Sequence, residues 1–171
     1  MSFNSYSFLL IFLPVALLGC YLTNRIKGSR WCMIWLIGVS LFFYGLWNWV
    51  LIILIIGSIL MNYIFGIFIN RNRVNERNLK KVLYLGIVCN VGLLIIFKYY
   101  GVYKNLNLQA LESILELNLI IPVAVSFFTF QQIIYLVEVS RGNLSEIKFL
   151  NYFLYVTFFP QLINGPIIRP N

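Results

Sequence analysis

The chain has 171 residues, of which 61% are hydrophobic and 11% are charged, and its formal net charge is +8. Soluble domains are about 45–50% apolar and about 25% charged, so this composition excludes an ordinary soluble protein. The basic residues occupy short segments between apolar runs, which argues against a nucleic-acid partner and indicates a membrane topology signal.

Uncharged apolar runs follow one another along the chain. The longest, residues 31–70, contains no Asp, Glu, Lys or Arg. At about 1.5 Å per helical residue it reaches roughly 60 Å, twice the ~30 Å of a bilayer's hydrocarbon core, so it predicts a helical hairpin that crosses the membrane and returns. The other runs are residues 1–24, 82–97, 117–137 and 149–168. The sequence therefore predicts an all-α, polytopic transmembrane helical bundle of about five spans and a partial or broken sixth.

The first run, residues 1–22, predicts a retained transmembrane helix. Residues 17–20, LLGC, resemble a bacterial lipoprotein cleavage box, but no Lys or Arg precedes Arg25, so the basic region of a signal peptide is missing. Three cysteines lie in or beside apolar runs: Cys20, Cys32 and Cys89. Because the chain has no histidine, we expect them to be small buried hydrophobes and expect no metal site.

The basic residues predict the orientation. The predicted loops 23–30 and 70–81 flank the hairpin, so both lie on one side of the membrane, and the positive-inside rule makes that side cytoplasmic. The N-terminus is then outside. Ten basic residues fall on the cytoplasmic side: Arg25, Lys27, Arg30, Arg71, Arg73, Arg77, Lys80, Lys81, Arg141 and Lys148. Three fall on the outer side: Lys98, Lys104 and Arg169.

Two segments between the spans carry interface signals. Trp and Tyr favour the headgroup level, so residues 47–49, Trp-Asn-Trp, predict the turn of the hairpin. Residues 107–116 place leucines on one face and Gln and Glu on another. That pattern predicts a short helix lying in the outer interface.

The last third of the chain is unusually polar for a membrane segment. The run after Pro122 carries Ser, Thr, Gln and Glu side chains, and Gln131, Tyr135 and Glu138 stand at helical spacing on one face. Such a stripe must face protein or water. Residues 160–166 then contain two prolines and a glycine, and broken backbone at membrane depth is tolerated only where it is buried in protein or lines a cavity.

Two interpretations of Glu138 stay open. It can form an i,i+3 ion pair with Arg141 near the cytoplasmic interface, or it can line a polar passage together with Gln131. A transporter would need such a passage too. The chain contains no His, no Asp and no phosphate-binding or nucleophile motif, so no self-contained catalytic site is expected.

Two C-terminal blocks resemble the membrane-bound O-acyltransferase family. The first is IPVAVSFFTFQ at residues 121–131 with YLVEVSRG at residues 135–142, and the second is residues 149–169, which contain FFPQLI and GPI. The opening FNS and FLP, and FYG at residues 43–45, resemble the bacterial branch. That branch includes the alginate O-acetylation membrane protein and the D-alanyl transfer protein of teichoic acid synthesis.

The resemblance implies an incomplete domain. Ala124, Glu138 and Ser140 depart mildly from the family pattern, and the family's catalytic histidine has no counterpart because the chain has no histidine. We therefore expect residues 1–171 to be the N-terminal part of such a domain, inactive alone, with no catalytic and no metal-binding residue. The residues expected to line its passage are Gln131, Glu138, Gln161 and Asn164.

By the same resemblance, the family moves an acyl group, here expected to be acetyl, from a thioester donor to a hydroxyl of an exported polysaccharide or cell-envelope polymer. The donor would be acyl-CoA or an acyl carrier protein, and no covalently bound cofactor is expected. The expected surroundings are the bacterial inner membrane and a second envelope acyl-transfer protein. The alternatives are a non-catalytic scaffold or pseudoenzyme and a small transporter, although no repeated half with matching interrupted helices supports the latter.

Overall fold

The computed structural model describes residues 8–46, 49–104, 120–144 and 148–158. Within these ranges the chain is helical and contains no strand, which confirms the all-α class. A π-helical turn, Phe8–Phe12, leads into the first of the six α-helices found in the described ranges. They are α1 (Leu13–Lys27), α2 (Ser29–Gly45), α3 (Trp49–Arg71), α4 (Glu76–Lys104), α5 (Ile120–Arg141) and α6 (Phe149–Thr157).

Three segments of the described ranges are long and apolar enough to cross a membrane: Leu10–Lys27, Ile52–Arg71 and Glu76–Lys98. The apolar helix α2 is shorter, at 17 residues. Large apolar side chains are exposed along these helices, among them Leu10, Ile26 and Ile53. Exposed apolar surface of this extent suits lipid rather than water, so the chain is a membrane protein. The count of about five spans stays a prediction.

The turns at the basic end are shorter than predicted. Gly28 alone separates α1 from α2, and its φ of 91° lies in the left-handed region that favours glycine. Residues 72–75 alone separate α3 from α4. Several basic residues assigned to loops 23–30 and 70–81 therefore lie in helical ends, because Lys and Arg are good helix formers whose long side chains reach the interface from within a helix.

The α1–α2 hairpin is closed by two contacts that the sequence did not predict. Cys20 and Cys32 form a disulfide with a Cα–Cα distance of 4.6 Å, so the expectation that they are only small buried hydrophobes is wrong for these two cysteines. Cys89 is a half-buried free thiol. Beside the disulfide, the Trp35 indole nitrogen donates a hydrogen bond of 3.1 Å to the Ala16 carbonyl oxygen.

The core of the described bundle lies where α3 packs against α2, α4, α5 and α6. Fully buried apolar side chains line this contact: Ile55, Ile59 and Ile69 of α3, and Val125, Phe128, Leu136 and Val139 of α5. Gly66 of α3 allows the ring of Tyr135 to lie directly on the helix backbone. The glycine thus fixes how closely α5 approaches α3.

We expect Gly66→Ala to destabilise the bundle by about 1–3 kcal/mol, the usual cost of overpacking. A Cβ at Gly66 would lie 2.9 Å from Tyr135 Cζ and overlap its hydroxyl oxygen, and Tyr135 is held in place by a stacked neighbour, Tyr152. Gly57→Ala on the same helix is the control, because a Cβ there meets nothing within 4 Å. The melting temperature, measured by thermal unfolding in detergent micelles, should therefore be lower for Gly66→Ala only. Equal melting temperatures would contradict this account of the α3–α5 contact.

Candidate functional site: a buried polar cluster

Polar side chains from three helices are buried together within the apolar bundle. Ser58 and Asn62 come from α3, Asn90 from α4, and Gln132 from α5, and each is at most 4% exposed. Polar residues inside a membrane bundle are rare and tend to mark function, because lipid offers them no hydrogen bonds. We refer to these four residues as the polar cluster.

The polar cluster is joined by amide hydrogen bonds. The Asn62 side-chain nitrogen donates to Asn90 Oδ1 at 3.1 Å, to the Ser58 carbonyl oxygen at 2.9 Å, and to Gln132 Oε1. The Asn90 nitrogen returns a bond to Asn62 Oδ1 at 2.6 Å and donates to the Gly86 carbonyl oxygen at 2.8 Å. Ser58 Oγ donates to Gln132 Oε1 at 2.8 Å. Asn62 thus connects α3 with both α4 and α5.

Further polar atoms, one within the polar cluster and others beside it, are buried without a hydrogen-bond partner in the described residues. They are Thr129 Oγ1, Gln132 Nε2, and the hydroxyl groups of Tyr135 and Tyr152. A buried polar group left unpaired costs about 1–3 kcal/mol of stability. Several unpaired groups in one place are therefore expected where the protein has to accommodate a polar ligand or a polar segment. The inward faces of α5 and α6 therefore offer hydrogen-bond donors in a region that is otherwise apolar.

Stacked tyrosines join this face of α5 to α6 and α3. The rings of Tyr135 and Tyr152 are 3.9 Å apart at 24°, and Tyr63 lies beyond Tyr152 at 6.2 Å. At the far end of α6, the Tyr44 hydroxyl group of α2 donates to the Thr157 carbonyl oxygen at 2.8 Å. The aromatic stack and this bond hold α6 against the bundle and place Tyr152 next to α5.

The predicted polar stripe is buried along its whole length. Gln131, Tyr135 and Glu138 are 1%, 2% and 5% exposed. Glu138 Oε2 accepts a hydrogen bond from the Asn143 amide, whereas Arg141 lies 4.0 Å away and its side chain is largely exposed. The predicted i,i+3 ion pair is thus present but long, and Asn143 is the close partner. Whether Gln131 and Glu138 line a passage stays a prediction.

Arg73 was counted from the sequence only as one of the basic residues that predict the orientation, but in the structure it also caps the end of α5. Its guanidinium donates to the carbonyl oxygens of Val139, at 3.3 Å, and Leu144, at 2.9 Å. A cation at a helix C-terminus satisfies free carbonyl groups and complements the helix dipole. Arg73 thereby ties the α3–α4 turn to the end of α5, directly around the loop that contributes Asn143.

The other expected site residues, Gln161 and Asn164, lie outside the described residues. So do the interfacial helix expected at residues 107–116 and the broken segment at residues 160–166. Within the described ranges no group of three or more His, Cys, Asp or Glu side chains could hold a metal ion. Ser58, Asn62 and Asn90 were not predicted as site residues, although asparagine inside an apolar run is itself a signal.

Known proteins resemble the chain over nearly its whole length. It is 36% identical to the peptidoglycan O-acetyltransferase of Helicobacter pylori, over 98% of the chain and 37% of that protein. It is 31% identical to the probable alginate O-acetylase AlgI of Pseudomonas aeruginosa and to that of Pseudomonas putida, over 99% of the chain and 33% and 35% of those proteins. The chain is a homologue of bacterial O-acetyltransferases.

The homology confirms the resemblance to the bacterial branch of the membrane-bound O-acyltransferases. The chain spans about a third of the length of these relatives. No protein-family model matches it, and no solved structure matches it.

Proposed function

We propose that residues 1–171 are the N-terminal part of a membrane O-acetyltransferase that acetylates a hydroxyl of an exported polysaccharide or cell-envelope polymer. The main support is homology over 98–99% of the chain to proteins named for O-acetyl transfer to peptidoglycan or alginate. The apolar helices support a membrane location.

In this proposal the acceptor hydroxyl attacks the carbonyl carbon of a thioester donor, a base takes the hydroxyl proton, and the thiol leaves. The donor is acyl-CoA or an acyl carrier protein. This chain contains no histidine to act as base. Its residues have structural and lining roles. Asn62 and Gln132 hold α5 in place, and Gln131 and Glu138 line the passage on the buried side of α5.

The proposed enzyme lies in the bacterial inner membrane with its N-terminus outside and works with a second envelope acyl-transfer protein. Two signals disagree about the orientation. The positive-inside rule places the basic end in the cytoplasm, whereas the Cys20–Cys32 disulfide near the same end suits an oxidising compartment. The proposal follows the charge distribution, to which ten basic residues contribute. It implies that Cys20 and Cys32 face the reducing cytoplasm, where this pair is held as two neighbouring thiols with Cα atoms 4.6 Å apart.

Cysteine labelling tests this orientation. In a variant that lacks Cys20, Cys32 and Cys89, we expect Asn75→Cys in the exposed α3–α4 turn to react with an impermeant maleimide only after the inner membrane is permeabilised. Ser2→Cys in the same background is the control and should react in intact cells. Labelling of Asn75→Cys in intact cells would show that the orientation is inverted.

The role of Glu138 is tested in the enzyme that contains residues 1–171. We expect Glu138→Gln to lower acetyl transfer at least tenfold at unchanged protein level, because the change removes the charge and keeps an acceptor for Asn143. Glu76→Gln is the control, since Glu76 is an exposed carboxylate paired with Lys80 at 2.6 Å.

Normal activity of Glu138→Gln would remove Glu138 from the passage. Only the contacts with Asn143 and Arg141 would then be left, and a partly exposed ion pair such as the one with Arg141 contributes about 0–1 kcal/mol to stability. Acetyl transfer is measured in membranes as label incorporated into the acceptor polymer, with the amount of enzyme determined by immunoblotting.

A further inference from the structure

A groove of about 380 Å³ lies between the first half of α2 and helix α6. The two helices run in the same direction, because Tyr44 near the end of α2 donates its hydrogen bond to Thr157 at the end of α6. The walls are mostly apolar. They are Met33 and Leu36 of α2, Asn151, Leu154 and Tyr155 of α6, and Phe158 directly after α6. The groove is large enough for part of a lipid chain, and none of the four residues of the polar cluster lines it.

Basic residues stand at the same end of both walls. Arg30 lies one helical turn before Met33 in α2, and Lys148 is the extended residue directly before α6, three positions ahead of Asn151. Arg30 is exposed, and it forms no ion pair within the described residues. The groove therefore combines an apolar slot with positive charge at its mouth.

The geometry points to a binding site for one anionic glycerophospholipid, with an acyl chain between α2 and α6 and its phosphate beside Arg30. An apolar slot within the hydrocarbon core suits an acyl chain, and the planar guanidinium suits phosphate, which it can bind through two parallel hydrogen bonds. Basic side chains near the membrane surface attract anionic rather than zwitterionic headgroups. The inference concerns this lipid alone and does not depend on the proposed acetyl transfer.

The test uses the full chain in nanodiscs that contain equal amounts of phosphatidylglycerol and phosphatidylcholine. The protein is transferred into mild detergent, and the retained lipids are counted by native mass spectrometry. Leu36→Trp and Leu154→Trp fill the groove from opposite walls, and Arg30→Gln removes the charge. The controls are Ile53→Trp, at a lipid-facing position that is 61% exposed, and Lys81→Gln, an exposed basic residue away from the groove.

We expect the wild-type chain and both controls to retain one phosphatidylglycerol, and both groove-filling variants to lose it. Arg30→Gln should lower the preference for phosphatidylglycerol over phosphatidylcholine about fivefold, which corresponds to the ~1 kcal/mol attributed to one basic residue near an anionic surface. If a tryptophan variant fails to fold, as judged by helical circular dichroism, Arg30→Gln still decides the question.

Three results would overturn the proposal. Retention of the lipid by both groove-filling variants would place it elsewhere. Equal retention of the two lipids by the wild-type chain would show that the groove binds an acyl chain but does not select an anionic headgroup. The absence of retained lipid from the wild-type chain would indicate that the groove is covered by protein rather than lipid.

Discussion

Asn62→Asp is expected to prevent stable packing of α3, α4 and α5. The substitution replaces the nitrogen that donates to Asn90 Oδ1 and Gln132 Oε1 with a second oxygen, so a carboxylate faces two amide oxygens at a position that is 0% exposed. Burying an unpaired charge costs several kcal/mol, and the two acceptors also lose their donor. This is a large share of the net stability of a domain, which is about 5–15 kcal/mol.

The matched control is Asn78→Asp. Asn78 is exposed in the first turn of α4, where a negative charge complements the helix dipole, so little change in stability is expected. Both variants are compared with the wild-type chain by their amount in the membrane and by thermal unfolding in detergent micelles. A wild-type melting temperature for Asn62→Asp would mean that the amide bonds do not hold these helices together.

The helices and the inward face of α5 could be predicted from the sequence, because both follow from local rules. An uncharged run of sufficient length has to be helical in lipid, where each backbone polar group needs an internal partner. Gln131, Tyr135 and Glu138 had to face protein or water because polar atoms gain nothing from hydrocarbon. Their burial in the structure follows from this cost alone.

The contacts between helices could not be predicted, because they depend on how the helices are aligned. Asn62 and Asn90 are 28 residues apart and meet only once the length of the α3–α4 turn is fixed. The same holds for Cys20 and Cys32, whose pairing depends on a turn formed by Gly28 alone. The basic residues of segments 23–30 and 70–81 suggested longer loops, because the charge of a segment does not distinguish a loop from the basic last turn of a helix.

Membranes that contain only this 171-residue chain are expected to transfer no acetyl group above the background of empty membranes. Attack by the acceptor hydroxyl needs a general base, which contributes roughly 10²–10⁴-fold to the rate even when the other groups are in place. The chain has no histidine and no aspartate. Of the glutamates in the described residues only Glu138 is buried, and its carboxylate already accepts a hydrogen bond from Asn143 near the end of α5.

The measurement is the incorporation of labelled acetyl groups into the acceptor polymer by membranes that contain this chain, with membranes that contain the full-length Helicobacter pylori relative as the positive control. The relative is roughly three times as long, so it can supply groups that this chain lacks. Asn62→Asp serves as a second control for any activity that is found, because a genuine site in this bundle should not survive disruption of the polar cluster. Turnover by the wild-type chain that is lost in Asn62→Asp would contradict the missing-base argument and place a base within these 171 residues.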